Sequence, residues 1–138
     1  MPLDNPKVVV VGAGAMGGLF GGLMAEKGLD VTLVDTWTEH IAAIAARGLK
    51  IVGVGGDRAI PVKATSDAAT VRAADVVLFQ CKAFANTAAA RGVKHLFNGG
   101  TVAISANHGG YGLGIGTTAP KQRLHVVGDY YGRGHLYL

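Results

Sequence analysis

The sequence predicts an α/β fold built on a doubly wound, mainly parallel sheet, and three observations carry that expectation. Apolar runs of strand length alternate with helix-length segments as far as Ala106. The run Val8-Val-Val-Val11 is continuously apolar, as a strand covered on both faces requires. It stops at glycines spaced Gly12-x-Gly14-x-x-Gly17, and a helix-like segment follows.

In order, residues 7–11 form the first strand and 16–27 the first helix, with Leu19, Leu23 and Met24 apolar and Gly28 as the stop. Gly17, Gly18, Gly21 and Gly22 recur on that helix. Each disfavours it by about 1 kcal/mol relative to alanine, so close packing of this face on the sheet is expected. Residues 30–34 alternate as strand two. Thr36-Trp-Thr-Glu39 then has the pattern of a capping box, opening a helix with Ile41, Ile44 and Ala45 on its apolar side and Gly48 at its end. Residues 49–54 and 59–64 read as a hairpin around Gly55-Gly56-Asp57-Arg58. A short helix or loop covers 66–74, a buried strand 75–81, a helix 83–96 and a strand 101–106. Beyond His108 the rhythm breaks into a Gly/Tyr-rich stretch, with a short strand expected over 124–127 and another from Tyr130. The expected organisation is a Rossmann-type domain over 1–108 and a Gly/Tyr-rich, β-like or extended tail over 109–138.

Bulk properties narrow the function. At 138 residues the chain suits one domain with a core, or one domain and an appendage. No apolar run approaches the roughly 20 residues of a membrane span. The N-terminus Met-Pro-Leu-Asp-Asn-Pro-Lys lacks the apolar core of a signal peptide. The single cysteine, Cys81, excludes an internal disulfide and fits a reducing compartment, so the cytoplasm is the expected location. Net charge is +4, but the basic residues are scattered, so neither nucleic acid nor a membrane is expected as a partner.

The glycine loop is where chemistry is expected. Gly12 would make the tight turn, Gly14 would let phosphate oxygens approach the backbone, and Gly17 would let the helix pack close to the strand. The helix start offers amide N–H groups and a partial positive charge to a pyrophosphate. Gly12, Ala13, Gly14, Ala15, Met16 and Gly17 are therefore candidate dinucleotide-binding residues. Asp35 ends strand two about 20 residues beyond this cluster, where a carboxylate can accept both ribose hydroxyls of an adenosine. It would repel a 2′-phosphate, which favours NAD over NADP; a plain strand-end charge is the competing reading. Lys82 ends a buried strand and can reach a phosphate or a substrate carboxylate, or is an ordinary helix-start lysine. Asn107 and His108 end the last strand and are candidate substrate or nicotinamide contacts, with a plain surface-loop histidine the competing reading of His108. Gly12, Asp35, Lys82 and Asn107 each follow a strand end and should rim one crevice. Cys81 reads as core, and Trp37 as packing for the second helix, although it could lie on an adenine. The histidines lack metal-ligand spacing, so no metal is expected.

From Lys7 to about Gly109 the chain resembles the N-terminal domain of the ketopantoate reductases. The resemblance rests on Val-Gly12-Ala-Gly-Ala-Met-Gly-Gly-Leu-Phe-Gly-Gly, Val-Thr-Leu-Val-Asp35-Thr-Trp, Gly-Leu49-Lys-Ile, Pro61-Val-Lys-Ala-Thr and Asp75-Val-Val-Leu-Phe-Gln-Cys-Lys82-Ala, in order. It implies an NAD(P)H-dependent reductase that turns a branched 2-oxo acid into its 2-hydroxy acid. The family is best known with NADPH, which runs against the Asp35 reading. Where the family has Gln-Asn-Gly, this chain has Ser105-Ala-Asn107-His108-Gly109, so either Asn107 or His108 takes the place of that asparagine. The family's C-terminal helical domain, with its catalytic lysine and substrate-binding glutamate, has no room in this length. The expectation is a cofactor-binding domain inactive alone. Residues 114–126 are similar to a short repeat of phage tail-fibre and trimeric β-stalk proteins, which implies a recombined, frameshifted or engineered chain. That gives a second reading, a structural or assembly protein oligomerising through 110–138.

Overall fold

The structure, a computed structural model, describes residues 4–53, 55–106, 113–115 and 124–126. Strand β1 (Lys7–Val11) leads into helix α1 (Ala15–Glu26), strand β2 (Asp30–Val34) and helix α2 (Thr38–Arg47). Short strands β3 (Leu49–Ile51), β4 (Arg58–Ile60) and β5 (Lys63–Thr65) follow. Then come β6 (Val76–Phe79), α3 (Asn86–Gly92), β7 (Val102–Ala106), β8 (Leu113–Ile115) and β9 (Leu124–Val126). The main sheet runs β5-β2-β1-β6-β7-β8-β9. Its first five strands are parallel, β8 is antiparallel to β7, and β9 is parallel to β8. This is the doubly wound, mainly parallel architecture the sequence predicts. The chain reverses its direction of winding between β1 and β6, the point at which such sheets open a crevice.

The valine run of β1 explains why it lies in the middle. Val8 and Val10 belong to one apolar cluster, with Leu33, Ile41, Ile44 and Leu49. Val9 and Val11 belong to another, with Val77, Phe79, Val93 and Leu96. Side chains alternate across a strand, so both faces of β1 are buried, and polar residues on either face would be unpaired.

Four expectations need correction. The hairpin forms, but its second strand is divided. β4 pairs with β3 in a separate two-stranded sheet, and β5 crosses to pair with β2. Pro61 lies between them, and a residue without an N–H cannot continue a ladder. The glycine face of α1 packs only partly on the sheet. A Cβ at Gly21 would meet Leu33 at 2.5 Å, but one at Gly22 would meet Leu49 of β3 at 2.7 Å. The hairpin thus covers half of that face. The capping box does not form: the N-cap of α2 is Trp37 without a side-chain cap bond, and Thr38 bonds Glu39. Asp35 takes the Trp37 N–H instead at 2.9 Å, which moves the helix start one residue on. The helix expected over 83–96 is a 3-10 turn (Ala83–Ala85), α3 and a second 3-10 turn (Lys94–Leu96). Asn86 is drawn sideways there, its side chain accepting from the Cys81 thiol at 3.1 Å and donating to Ser105 Oγ at 3.3 Å.

Candidate functional site

Parallel register sets where the strand ends fall. Val11 lies beside Val34 on one side and Phe79 on the other, so Gly12, Asp35 and Gln80 emerge together at the carboxyl edge. Phe79 lies beside Ser105, which brings the end of β7 to the same edge. Asn107 and His108, expected on that rim, lie outside the described residues, as does most of 109–138.

The three glycines have different jobs. Gly12 has φ +101°, and a Cβ on it would stand 2.7 Å from the Cys81 amide nitrogen. Only glycine lets β1 turn while the end of β6 lies this close. A Cβ at Gly17 would fall 1.7 Å from the Gly12 carbonyl oxygen, so the first turn of α1 rests directly on the loop. A Cβ at Gly14 has no neighbour within 4 Å. Packing thus dictates glycine at 12 and 17 but leaves open space at 14.

That open space faces donors. Gly14, Ala15 and Met16 are exposed. Their N–H groups have no acceptor among the described residues; the first helical bond is Gly18 N–H to Gly14 O at 2.7 Å. Helix starts leave such amides unpaired, and the helix dipole adds partial positive charge to them. Beside them lies a cavity of about 430 Å³ lined by Gly12, Gly14, Asp35, Gln80, Lys82 and Phe84, among others. A second cavity of about 250 Å³ opens past Asp35 toward Thr36, Ser66, Ala85 and Ala88. Gly12, Asp35 and Lys82 therefore do share one crevice.

Asp35 is already engaged. Its Oδ2 accepts the Ala13 N–H at 2.7 Å while Oδ1 accepts that of Trp37. A carboxylate offers about four lone-pair positions, so both oxygens keep capacity for a further donor. Lys82 is exposed at the start of the 3-10 turn, with no side-chain partner among the described residues. The Cys81 thiol is half-buried and pushed up from its ordinary value, chiefly by burial and further by the Asp35 charge. A raised thiol is mostly protonated at neutral pH and a poor nucleophile. Trp37 does not pack into the core: it is 62% exposed and stacks on His40, ring centroids 5.0 Å apart. Sequence reasoning missed Phe84, 90% exposed at the cavity rim, because it stood in an expected helix. It also missed His40, whose Nε2 lies 2.8 Å from the Ala13 carbonyl oxygen; no local pattern links positions 13 and 40. No group of three or more potential metal ligands occurs among the described residues. No helix among them is long and apolar enough to cross a membrane.

Fold and loop together define a Rossmann-type domain with a glycine-rich turn at its winding reversal. The profile of the ketopantoate reductase PanE/ApbA family matches residues 8–120, and the chain belongs to that family. It is similar to the 2-dehydropantoate 2-reductase of Pyrococcus abyssi, 36% identical over 96 residues, covering 70% of this chain and 31% of that protein. Among solved structures it is similar to the 2-dehydropantoate 2-reductase of Geobacter metallireducens GS-15, at 32% identity and TM-score 0.67, covering 75% and 34%. D-mandelate dehydrogenase, solved with NADH and anilino(oxo)acetate, superposes at 25% identity and TM-score 0.70, covering 75% and 33%. The chain spans about a third of the length of curated relatives it matches over this region.

Proposed function

We propose that this chain binds a nicotinamide dinucleotide and supplies the cofactor half-site of a reductase acting on a 2-oxo acid. One observation carries the reading: the amides of Gly14, Ala15 and Met16, without an acceptor among the described residues, line a cavity past a glycine whose missing side chain no packing contact requires. A pyrophosphate matches that donor set in charge and in hydrogen-bonding sense. Gly12 and Gly17 hold the loop's shape, and Ala13 is pinned by Asp35. Asp35 would accept ribose hydroxyls with the capacity it retains, and Lys82 would meet a phosphate or a substrate carboxylate.

The cofactor, when bound, supplies a hydride to the 2-oxo carbon. The chain's own residues bind and orient it. NAD is favoured over NADP, because a 2′-phosphate would approach the Asp35 carboxylate; the D-mandelate dehydrogenase solved with NADH is in keeping with this. Ketopantoate or a related branched 2-oxo acid is the substrate class that the family suggests. Turnover also needs a positioned acceptor and a proton donor, which we assign to sequence that the threefold longer relatives carry beyond the matched region.

Isothermal titration with NADH and NADPH tests the proposal. Binding of NADH, tighter than of NADPH, is expected, together with no ketopantoate-dependent oxidation of either by these 138 residues. Silence with both nucleotides overturns the reading.

A further inference from the structure

We propose that His40 is a positioning residue for the phosphate-facing loop, acting through the carbonyl of Ala13; its consequence for a pyrophosphate rests on the dinucleotide reading above. Ala13 is held through both of its backbone polar groups by residues far away in sequence. Its N–H donates to Asp35 Oδ2 at 2.7 Å, and its carbonyl oxygen lies 2.8 Å from His40 Nε2. A carbonyl only accepts, so the facing ring nitrogen must carry its hydrogen, which fixes the tautomer of a neutral His40. The two clamps are joined to each other. Asp35 Oδ1 accepts from the Trp37 N–H at 2.9 Å, and the Trp37 ring stacks on His40 with an interplanar angle of 26°. A closed circuit therefore runs Ala13, Asp35, Trp37, His40 and back to Ala13.

Its location gives it consequence. Ala13 is 1% exposed and immediately precedes Gly14, whose backbone begins the row of amides that have no acceptor among the described residues. Rotation of the peptide that joins them would turn the Gly14 N–H away from the cavity. Gly14, on one side of that peptide, resists such a rotation little by itself. The clamp from α2 supplies the restraint, and so transmits the placement of α2 to the amides, although His40 lines neither of the two cavities described above.

Two substitutions separate the hydrogen bond from the packing. His40→Phe keeps a ring beside Trp37 but has no donor; His40→Gln keeps a donor but has no ring. Amide hydrogen exchange at Ala13 and Gly18 reads the loop, and calorimetric titration with NADH reads the site. We expect His40→Phe to exchange about tenfold faster at Ala13 and to bind NADH about tenfold more weakly, one hydrogen bond's worth. His40→Gln stays within about twofold of wild type on both. His40→Leu serves as a second donor-free variant if the phenylalanine ring fails to pack. Unchanged exchange in the donor-free variants, or a glutamine variant as impaired as they are, overturns the proposal. If the wild type binds neither NADH nor NADPH, the dinucleotide reading falls, while the exchange contrast still decides whether His40 holds the loop.

Discussion

Gly14 and Gly17 stand three residues apart in one motif, yet alanine at each should fail in opposite ways. At Gly17 the new methyl group would sit 1.7 Å from the Gly12 carbonyl oxygen. That neighbour is backbone, itself held because a Cβ-sized space is missing where Gly12 meets the Cys81 amide. Relief needs the start of α1 to move by more than an ångström, against a face packed on Leu33 and Leu49. Overpacking of this kind typically costs 1–3 kcal/mol, and the rigid obstacle argues for the top of that range, about 3 kcal/mol. For a chain of this length that lowers Tm by roughly 10 °C. At Gly14 the methyl group meets nothing within 4 Å, and φ of −73° suits any residue. Stability should stay within about 0.5 kcal/mol. A methyl on this residue, which lines the cavity beside Ala15 and Met16, would take space a pyrophosphate needs, so NADH affinity should fall at least tenfold, about 1.4 kcal/mol. Thermal melts followed by circular dichroism and titration calorimetry on the two variants give the four numbers. A Gly17→Ala protein that melts with the wild type, or a Gly14→Ala protein that loses stability and not affinity, would refute the division of labour.

Two more outcomes follow from charges. Asp35→Asn keeps one acceptor oxygen where two are in use, so either Ala13 or Trp37 loses its partner and stability should fall by about 1–2 kcal/mol. On the proposed reading the same change removes a charge that would oppose a 2′-phosphate, so the ratio of NADH to NADPH affinity should drop; a ratio that stays put contradicts the role proposed for Asp35. Arg58 donates to both carboxylate oxygens of Glu26, its Nη2 at 2.9 Å, and this bond holds the Glu26 carboxyl below the usual range. The folded carboxyl thus releases its proton at lower pH than the unfolded one. The pair's contribution is present at neutral pH and is lost as pH falls below about 4.3 toward the folded value. Arg58→Met should flatten that acid limb of Tm against pH, and an unchanged limb would show the pair to be inconsequential.

The elements legible in the sequence are those whose burial is set locally. The valines of β1, the alternation of β2 and the glycine spacing each state their environment within a few residues. Gly12, Asp35 and Lys82 could be gathered at one edge because parallel strands deliver their ends to the same side. What escaped was decided by partners distant along the chain. The strand expected over 59–64 carried one continuous pattern, and only the demand of β2 for a neighbour pulled Lys63, Ala64 and Thr65 away from the hairpin. Thr36 had the residue type for a cap, but Asp35 bonded the Trp37 N–H first, because its other oxygen was already anchored on Ala13. His40 looked like one more helix-surface histidine. Its partner is a backbone carbonyl, and backbone groups leave no trace in side-chain patterns.

The crevice is assembled from the tips of β1, β2 and β6, brought side by side by pairings that span most of the described chain. No fragment containing one tip presents the cavity, so it exists only in molecules whose central strands have all docked. Any small molecule that settles there becomes a thermodynamic lock on the whole sheet: at a hundred times its Kd it would add about 2.7 kcal/mol to global unfolding. Melting curves recorded across a ligand series would therefore serve as a binding assay that needs no catalytic readout.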